Sequence, residues 1–311
     1  MNESLYKYMR VGLVHFMAFP ATIKGEGPVL ETIRKIAVDD YFSAIEITTI
    51  KDPETRLAVK KMLETSHMTV AYGAQPRLLT TGMNINSLVE EERQKALDNL
   101  KQGIDEAYEI GAASFAFLSG NYEESRKEEA FQALVKSTNE ICAYAKSKGD
   151  MKIALEVFDY DVDKRSLIGP ADLALRYARE IRKSHDHFGL MVDLSHIPLI
   201  HETIEESILP VKDYIVHAHI GNCVVKSPEM AAYGDVHPRF GFPNGENDVD
   251  EVVEYLKVLL DIGFLNTQNP PVVSFEIKPF GDEDADVVIA NAKTGVESGL
   301  GKSLVSLKQK A

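Results

Sequence analysis

The sequence predicts an α/β fold, a single (β/α)8 barrel spanning residues 1–311 with an enlarged loop after the seventh strand. Three observations predict it. Strand-like and helix-like segments alternate eight times along the 311 residues. The strand-like segments are continuous apolar runs rather than alternating ones, as expected of parallel strands buried on both faces. The segment closing the first strand, His15-Phe-Met-Ala-Phe19, is not the glycine-rich phosphate loop that a doubly wound open sheet would place there.

The elements follow in order. Val11 to Phe16 reads as strand 1, and a turn containing Gly25 and Gly27 leads to a helix from Val29 to Ala37. Ala44 to Thr48 is strand 2. Pro53 then opens a helix to Ser66, a position where its missing N–H costs nothing. Thr69 to Gly73 is strand 3. After a loop with Gly82, Asn84, Asn86 and Ser87, the run Ser87-Leu-Val-Glu90 has the form of a capping box. The helix it opens runs to Ile110 and stops at Gly111, a C-cap residue. Ser114 to Leu118 is strand 4, followed by a helix over Lys127 to Lys148. Lys152 to Val157 is strand 5, and Pro170 opens a helix to Arg182. Gly189 to Val192 is strand 6, with a weaker helix from His201 to Ile208. Tyr214 to Ile220 is strand 7. The Pro/Gly-rich stretch from Asn222 to Asn247 precedes a helix from Val249 to Gly263. Val272 to Ile277 is strand 8, and a last helix covers Ala285 to Lys308.

Composition narrows the function. With 44% apolar and 26% charged residues the chain can bury a large core. A net charge of -14 repels phosphate backbones, and no Lys/Arg stripe offsets it, so nucleic acid is not expected as a partner. No apolar run reaches the roughly 18 residues of a membrane span, and Met1 to Arg10 lacks the apolar stretch of a secretory signal. The only two cysteines, Cys142 and Cys223, read as reduced thiols of a cytoplasmic protein. Cys223 follows a candidate ligand strand closely.

Four of the apolar runs end at a group able to bind a divalent metal: Ala154-Leu-Glu156, Met191-Val-Asp193, Val216-His-Ala-His219 and Ser274-Phe-Glu276. In a (β/α)8 barrel the chemistry sits at the C-terminal ends of the strands, and these are strands 5 to 8, one arc of the ring. A buried carboxylate without a cation or strong hydrogen-bond partner is costly. Three of them converging with an imidazole predict one metal site. Oxygen ligands with one nitrogen suit Mn²⁺ first, and also Mg²⁺, Co²⁺ or Zn²⁺. The set contains no thiolate, which argues against a structural Cys-type zinc site. His217 faces the same side of strand 7 as His219. It reads as a neighbour lower in the barrel, because His219 is nearer the strand end.

Other residues are candidates for the walls of the site. His15 ends strand 1 and is read equally as a substrate contact or a packed histidine. Phe16 and Phe19 read first as core. Gln75 and Arg77 follow strand 3 within possible reach of the pocket. Lys278 points to the same side as Glu276, to neutralise an enolate or to form a structural ion pair. His67, His185, His187 and His201 read as solvated.

The strand-end Glu156, the Asp-x-x-His of Asp193-Leu-Ser-His196, the His-x-His of His217 and His219, and the closing Glu276 together resemble the xylose-isomerase-like TIM-barrel superfamily. That group includes ketose 3-epimerases, inosose and hydroxypyruvate isomerases, and apurinic endonucleases. Asp235-Val-His237, with Gly241, Gly245 and Asp250 leading a helix, resembles the family's loop after strand 7. The resemblance implies that Glu156, Asp193, His219 and Glu276 bind the metal. In the sugar epimerase branch it further implies that Glu156 and Glu276 exchange substrate protons from opposite faces. It places His196 and His237 near substrate oxygens, with Arg239 in the strand 7 loop as a further substrate contact.

The chemistry expected of such a site is proton abstraction beside a carbonyl. A divalent ion on the carbonyl and adjacent hydroxyl oxygens stabilises the enediolate, and a carboxylate at the carbon acts as base. Epimerisation, aldose–ketose isomerisation or expulsion of a group from the next carbon can all follow. The first expectation is therefore a metal-dependent keto-sugar isomerase or epimerase acting on a small sugar or glycoside, as a homo-oligomer. The alternative is a carbon–carbon lyase resembling the catalytic subunits of C-glycoside deglycosidases, which act on 3-oxo glycosides with a small β-sandwich partner. The loops Phe158 to Gly169 and Asn222 to Asn247 are compatible with a bulky glycoside. An apurinic endonuclease would want further His ligands on strands 3 and 4. Tyr72-Gly73-Ala74 and Leu118-Ser119-Gly120 supply none. A non-catalytic sugar-binding barrel would have lost a ligand, and none of the four is missing.

Overall fold

The computed structural model describes residues 4–295. Its eight strands are β1 (Arg10–Leu13), β2 (Ala44–Ile47), β3 (Thr69–Gly73), β4 (Ser114–Leu118), β5 (Lys152–Glu156), β6 (Phe188–Asp193), β7 (Ile215–Ile220) and β8 (Val272–Phe275). All pair in parallel, in the order β1-β8-β7-β6-β5-β4-β3-β2. The ring is nearly closed: between β1 and β2 the Ser43 N–H donates to the Val11 carbonyl at 2.9 Å, and Val14 bridges Glu46. Helices intervene between the strands, so this is the expected (β/α)8 barrel. Every residue of β6 is buried, as its continuous apolar run requires.

The helices are α1 (His15–Ala18), α2 (Val29–Ala37), α3 (Pro53–Thr65), α4 (Gln75–Leu79), α5 (Glu90–Ile110), α6 (Lys127–Lys148), α7 (Ala171–Arg182), α8 (Ile204–Ile208) and α9 (Val249–Asp261). A further helix covers residues 285–295. The remainder of the helix expected to reach Lys308 lies outside the described residues. α5 ends at Gly111 with φ 86, a left-handed cap that costs glycine nothing.

Three local expectations are corrected. Strand 1 stops at Leu13, and His15 to Ala18 form a helical turn closed by Phe19 N–H to His15 O at 2.9 Å. A short apolar run carries no period that separates strand from helix. The capping box at Ser87 and Glu90 is absent. Ser87 Oγ instead donates to Glu92 Oε2 at 2.8 Å, and α5 starts at Glu90 without a side-chain cap. The reciprocal boxes belong to Thr203–Glu206 at α8 and Asp248–Glu251 at α9. Arg77 does not reach the barrel mouth. Its guanidinium pairs with Glu106 of α5 and donates to Tyr72 Oη and Asn99 Oδ1, each at 2.9 Å.

This last contact yields a stability prediction. The side chains of Arg77 and Glu106 are 11% and 9% exposed, so Arg77→Ala strands a buried carboxylate. A loss of about 3–5 kcal/mol is expected, read as a lower midpoint in chemical denaturation. A shift below about 1 kcal/mol would mean that water reaches Glu106 freely.

Candidate metal centre

Parallel pairing sets the depth of each candidate ligand. Glu156 is the last residue of β5 and Asp193 the last of β6. Asp193 lies opposite His219 in the β6–β7 register, and His219 opposite Ser274 in β7–β8. Glu276 follows β8 directly, its N–H bonded to Ile220 O at 3.0 Å. All four side chains therefore enter the barrel at the C-terminal mouth. Gly221 makes room there, because a Cβ on it would meet Glu276 O at 2.8 Å and His237 Nδ1 at 3.1 Å.

One ligand atom from each of Glu156, Asp193, His219 and Glu276 lies within 4.8 Å of the other three. The four residues are at most 8% exposed. From His219 Nδ1, Glu276 Oε2 is 2.7 Å away, Glu156 Oε1 3.3 Å and Asp193 Oδ2 3.6 Å. Among the described residues these same four atoms have no hydrogen-bond partner. Even the 2.7 Å contact is not aligned as a hydrogen bond. Four buried polar atoms aimed past one another at a common point are what a shared cation would satisfy, and few buried polar groups go without a partner otherwise. Three oxygens and one nitrogen form a hard-to-borderline donor set able to hold a divalent ion.

The other atoms of the quartet are tied down. Glu156 Oε2 accepts from Gln75 Nε2 at 2.6 Å, and Asp193 Oδ1 accepts from Ser195 N–H at 2.6 Å. His219 Nε2 donates to Glu46 Oε1 at 2.9 Å, and His217 Nε2 donates to the same oxygen at 2.6 Å. With that bond in place, a neutral His219 carries its lone pair on Nδ1, towards the quartet. Burial works against the charge on Glu46, but the two imidazoles outweigh it and hold its pKa well below the usual carboxylate range. Burial pushes Glu276 up to about 7, with His237 and His219 pulling the other way and Glu156 adding to the rise.

A family model described as xylose isomerase-like TIM barrel matches residues 36–288. The chain belongs to this family. No curated protein matches the chain by sequence. Solved structures agree with the fold. One is a D-tagatose 3-epimerase-like protein, 18% identical with a TM-score of 0.72 over 96% of this chain and 100% of that one. Another is an IOLI protein with a binding zinc atom, 18% identical, TM-score 0.70, over 95% and 99% of the two chains. A third is 3-keto-D-glucoside 4-epimerase YcjR from E. coli, 16% identical, TM-score 0.63, over 92% and 99%.

In this xylose isomerase-like barrel the second group of candidates gathers around Asp235. Its Oδ1 lies 2.6 Å from His237 Nε2 and is hydrogen-bonded to His196 Nε2 at 3.1 Å. His196 Nδ1 also faces an acceptor, Val157 O at 2.8 Å, and its ring packs on Phe158 at a centroid separation of 4.3 Å. Burial disfavours charge on His196, but Asp235 and Asp193 overcome it and raise the pKa well above the usual imidazole value. His237 is likewise raised to about 9, Glu276 and Asp235 outweighing its burial. Its Nε2 is 3.7 Å from Glu276 Oε1, and its left-handed backbone (φ 55) is held by Lys278 N–H on its carbonyl at 2.7 Å. Non-glycine residues keep that conformation only where surrounding contacts enforce it.

The remaining candidates make no hydrogen bond to the quartet among the described residues. His15 is bonded to Thr32 Oγ1 at 2.7 Å, and burial lowers its pKa to about 3. Arg239 pairs with Glu283 at 2.9 Å and lies over the Phe242 ring. Lys278 is half-buried, and its ammonium has no partner among the described residues. Phe16 and Phe19 are buried as expected of core residues, and Cys223 is buried and free.

Three contributors escaped the sequence. Glu46 sits in Ala44-Ile-Glu46-Ile, the same carboxylate-in-apolar-run signal that marked Glu156, so the signal was present. Lys164 links the loop after β5 to the β7 loop through Asp235 Oδ2 at 2.9 Å. Asp159 organises that first loop by accepting the N–H groups of Val162 at 2.9 Å, Asp163 at 2.6 Å and Lys164 at 2.8 Å. No local pattern marks either loop contact.

Proposed function

We propose that the protein is a divalent-metal-dependent keto-sugar isomerase or epimerase that moves a proton on a carbon beside a carbonyl. The observation that carries this is the convergence of four buried, unpartnered ligand atoms from Glu156, Asp193, His219 and Glu276. Sugar epimerases among its structural neighbours, and the zinc atom in the IOLI structure, support the same reading.

Those four residues would hold the ion, Mn²⁺ foremost, or Mg²⁺, Co²⁺ or Zn²⁺. When bound it supplies a Lewis acid that stabilises negative charge on the substrate's carbonyl and neighbouring hydroxyl oxygens. The chain's own groups do the rest. Glu156 and Glu276 approach from different strands, and each would take or return a proton on its own side of the sugar. The Gln75 amide holds Glu156 Oε2 and so orients its other oxygen. Asp235 holds His196 and His237 beside the quartet, a polar wall for sugar oxygens. Lys278, whose ammonium has no partner among the described residues, would be a further substrate contact. His15 and Arg239 would contact substrate only by exchanging Thr32 and Glu283 for it.

The test is solvent exchange. Metal-stripped and Mn²⁺-reconstituted protein are incubated in D2O with a panel of ketoses and 3-oxo glycosides. Deuterium should enter one substrate at the carbon beside its carbonyl, about 100-fold or more slowly without metal. Equal exchange by stripped and reconstituted protein would remove the metal from the mechanism.

A second reading, a C–C lyase acting on 3-oxo glycosides with a small β-sandwich subunit, draws on two observations. One neighbour is named for a 3-keto-D-glucoside. The loops after β5 and β7 are latched together beside the quartet by Lys164 and Asp235, where a glycoside's second half would extend. Release of a free aglycone, in place of a stereoisomer, identifies this outcome.

A further inference from the structure

A second donor cluster lies at the opposite end of the barrel, away from the carboxylate quartet. Cys142 belongs to the inner face of α6, while His185 and His187 flank the turn between α7 and β6. One ligand atom from each of the three lies within 4.8 Å of the other two. Nothing in the sequence joins them, since 42 residues lie between Cys142 and His185 and both histidines read as solvated. The fold corrects this. The His187 side chain is only 10% exposed, and both rings are half-buried against α6.

We propose that Cys142, His185 and His187 form a second metal site, softer than the first and suited to Zn²⁺. Three features support it. The donor set of one thiol and two imidazoles is that of a borderline-soft ion, whereas the quartet at the mouth is oxygen-rich. His187 Nε2 faces the Cys142 carbonyl at 3.2 Å. Its Nδ1 lies 3.6 Å from the exposed Asp186 carboxylate, so the ring is held with one edge on the turn of α6 that carries the thiol. The His185 imidazole has no hydrogen-bond partner among the described residues and meets the His187 ring edge-on, at a centroid separation of 5.7 Å. The half-buried histidines are the part of the cluster that solvent reaches, while the sulfur itself is buried. Binding would transfer the thiol proton to solvent and leave a fourth position for water.

The experiment uses tag-free, full-length protein with its first site preloaded with Mn²⁺. Zn²⁺ is titrated against a chromophoric chelator, and Co²⁺ is followed by near-ultraviolet absorption. The expected result is one Zn²⁺ equivalent beyond whatever the quartet takes up, and a thiolate-to-cobalt charge-transfer band. Cys142→Ser should abolish the band. Since that change touches the core, His185→Asn provides a variant in the half-exposed turn. It should weaken the added equivalent by more than the roughly 10–100-fold typical of losing an outer-shell partner. Glu276→Gln should leave the band in place, which separates this site from the quartet. Absence of the band in the wild-type protein, or its persistence in Cys142→Ser, overturns the proposal.

Discussion

Glu276→Gln, and separately Glu156→Gln, should abolish turnover on the true substrate while leaving the barrel folded. Glutamine keeps the shape of each side chain but removes the charge that binds a cation and the basicity that accepts a proton. Loss of positioned acid–base function alone costs about 10²–10⁴-fold, and weaker metal binding adds to it. Stability separates this outcome from simple misfolding. Without metal, three carboxylates crowd one imidazole in a site at most 8% exposed, and burial already pushes Glu276 up to about 7. Replacing it removes a charge that burial disfavours but also takes a counter-charge from His237 and His219, so the metal-free variant should melt close to the metal-free wild type. Added Mn²⁺ should raise Tm strongly in the wild type and weakly in the variant, because only binding to the native state stabilises it. Near-normal rates in both variants would show that the two carboxylates are not the acid and base.

The quartet was legible because each member ends a short apolar run, and a parallel barrel converts that local feature into a shared depth at one mouth. The eight strands were legible for the same reason, since continuous burial leaves a contiguous apolar signature. Glu46 carries that signature too, but its partners lie on β7, and the contact is made across the barrel interior rather than between neighbouring strands. Chain order gives no hint of it. Lys164 and Asp235 meet between two loops, where no periodicity constrains either residue. His15 shows a different limit. Its apolar neighbours fit strand and helix equally, and in the fold Val14 bridges Glu46 while the helical turn that follows sets the imidazole on Thr32. Histidines dismissed as solvated illustrate the converse, because polarity in sequence does not show which helix a turn will pack against.

Glu46→Ala should damage the centre without removing a ligand. Glu46 is 1% exposed, and one of its oxygens accepts from both His217 and His219. Truncation leaves two buried imidazole N–H groups without an acceptor, each costing about 1–3 kcal/mol. It also frees His219 to take the other tautomer or to turn its ring, so that Nδ1 no longer presents its lone pair to Glu156, Asp193 and Glu276. Metal affinity should fall about 10–100-fold, the usual effect of losing an outer-shell carboxylate. Glu46→Gln provides the discriminating control. Its amide oxygen can still accept from an imidazole, so orientation is largely retained while the negative charge is lost. If Glu46 acts by orientation, the Gln variant should bind metal nearly as well as the wild type and the Ala variant should not. If it acts by charge, making the imidazole a stronger donor, both variants should lose affinity alike. Mn²⁺ affinity, measured by electron paramagnetic resonance at fixed pH alongside denaturation midpoints, distinguishes the two. Unchanged affinity in Glu46→Ala would mean that the quartet orders itself without β2.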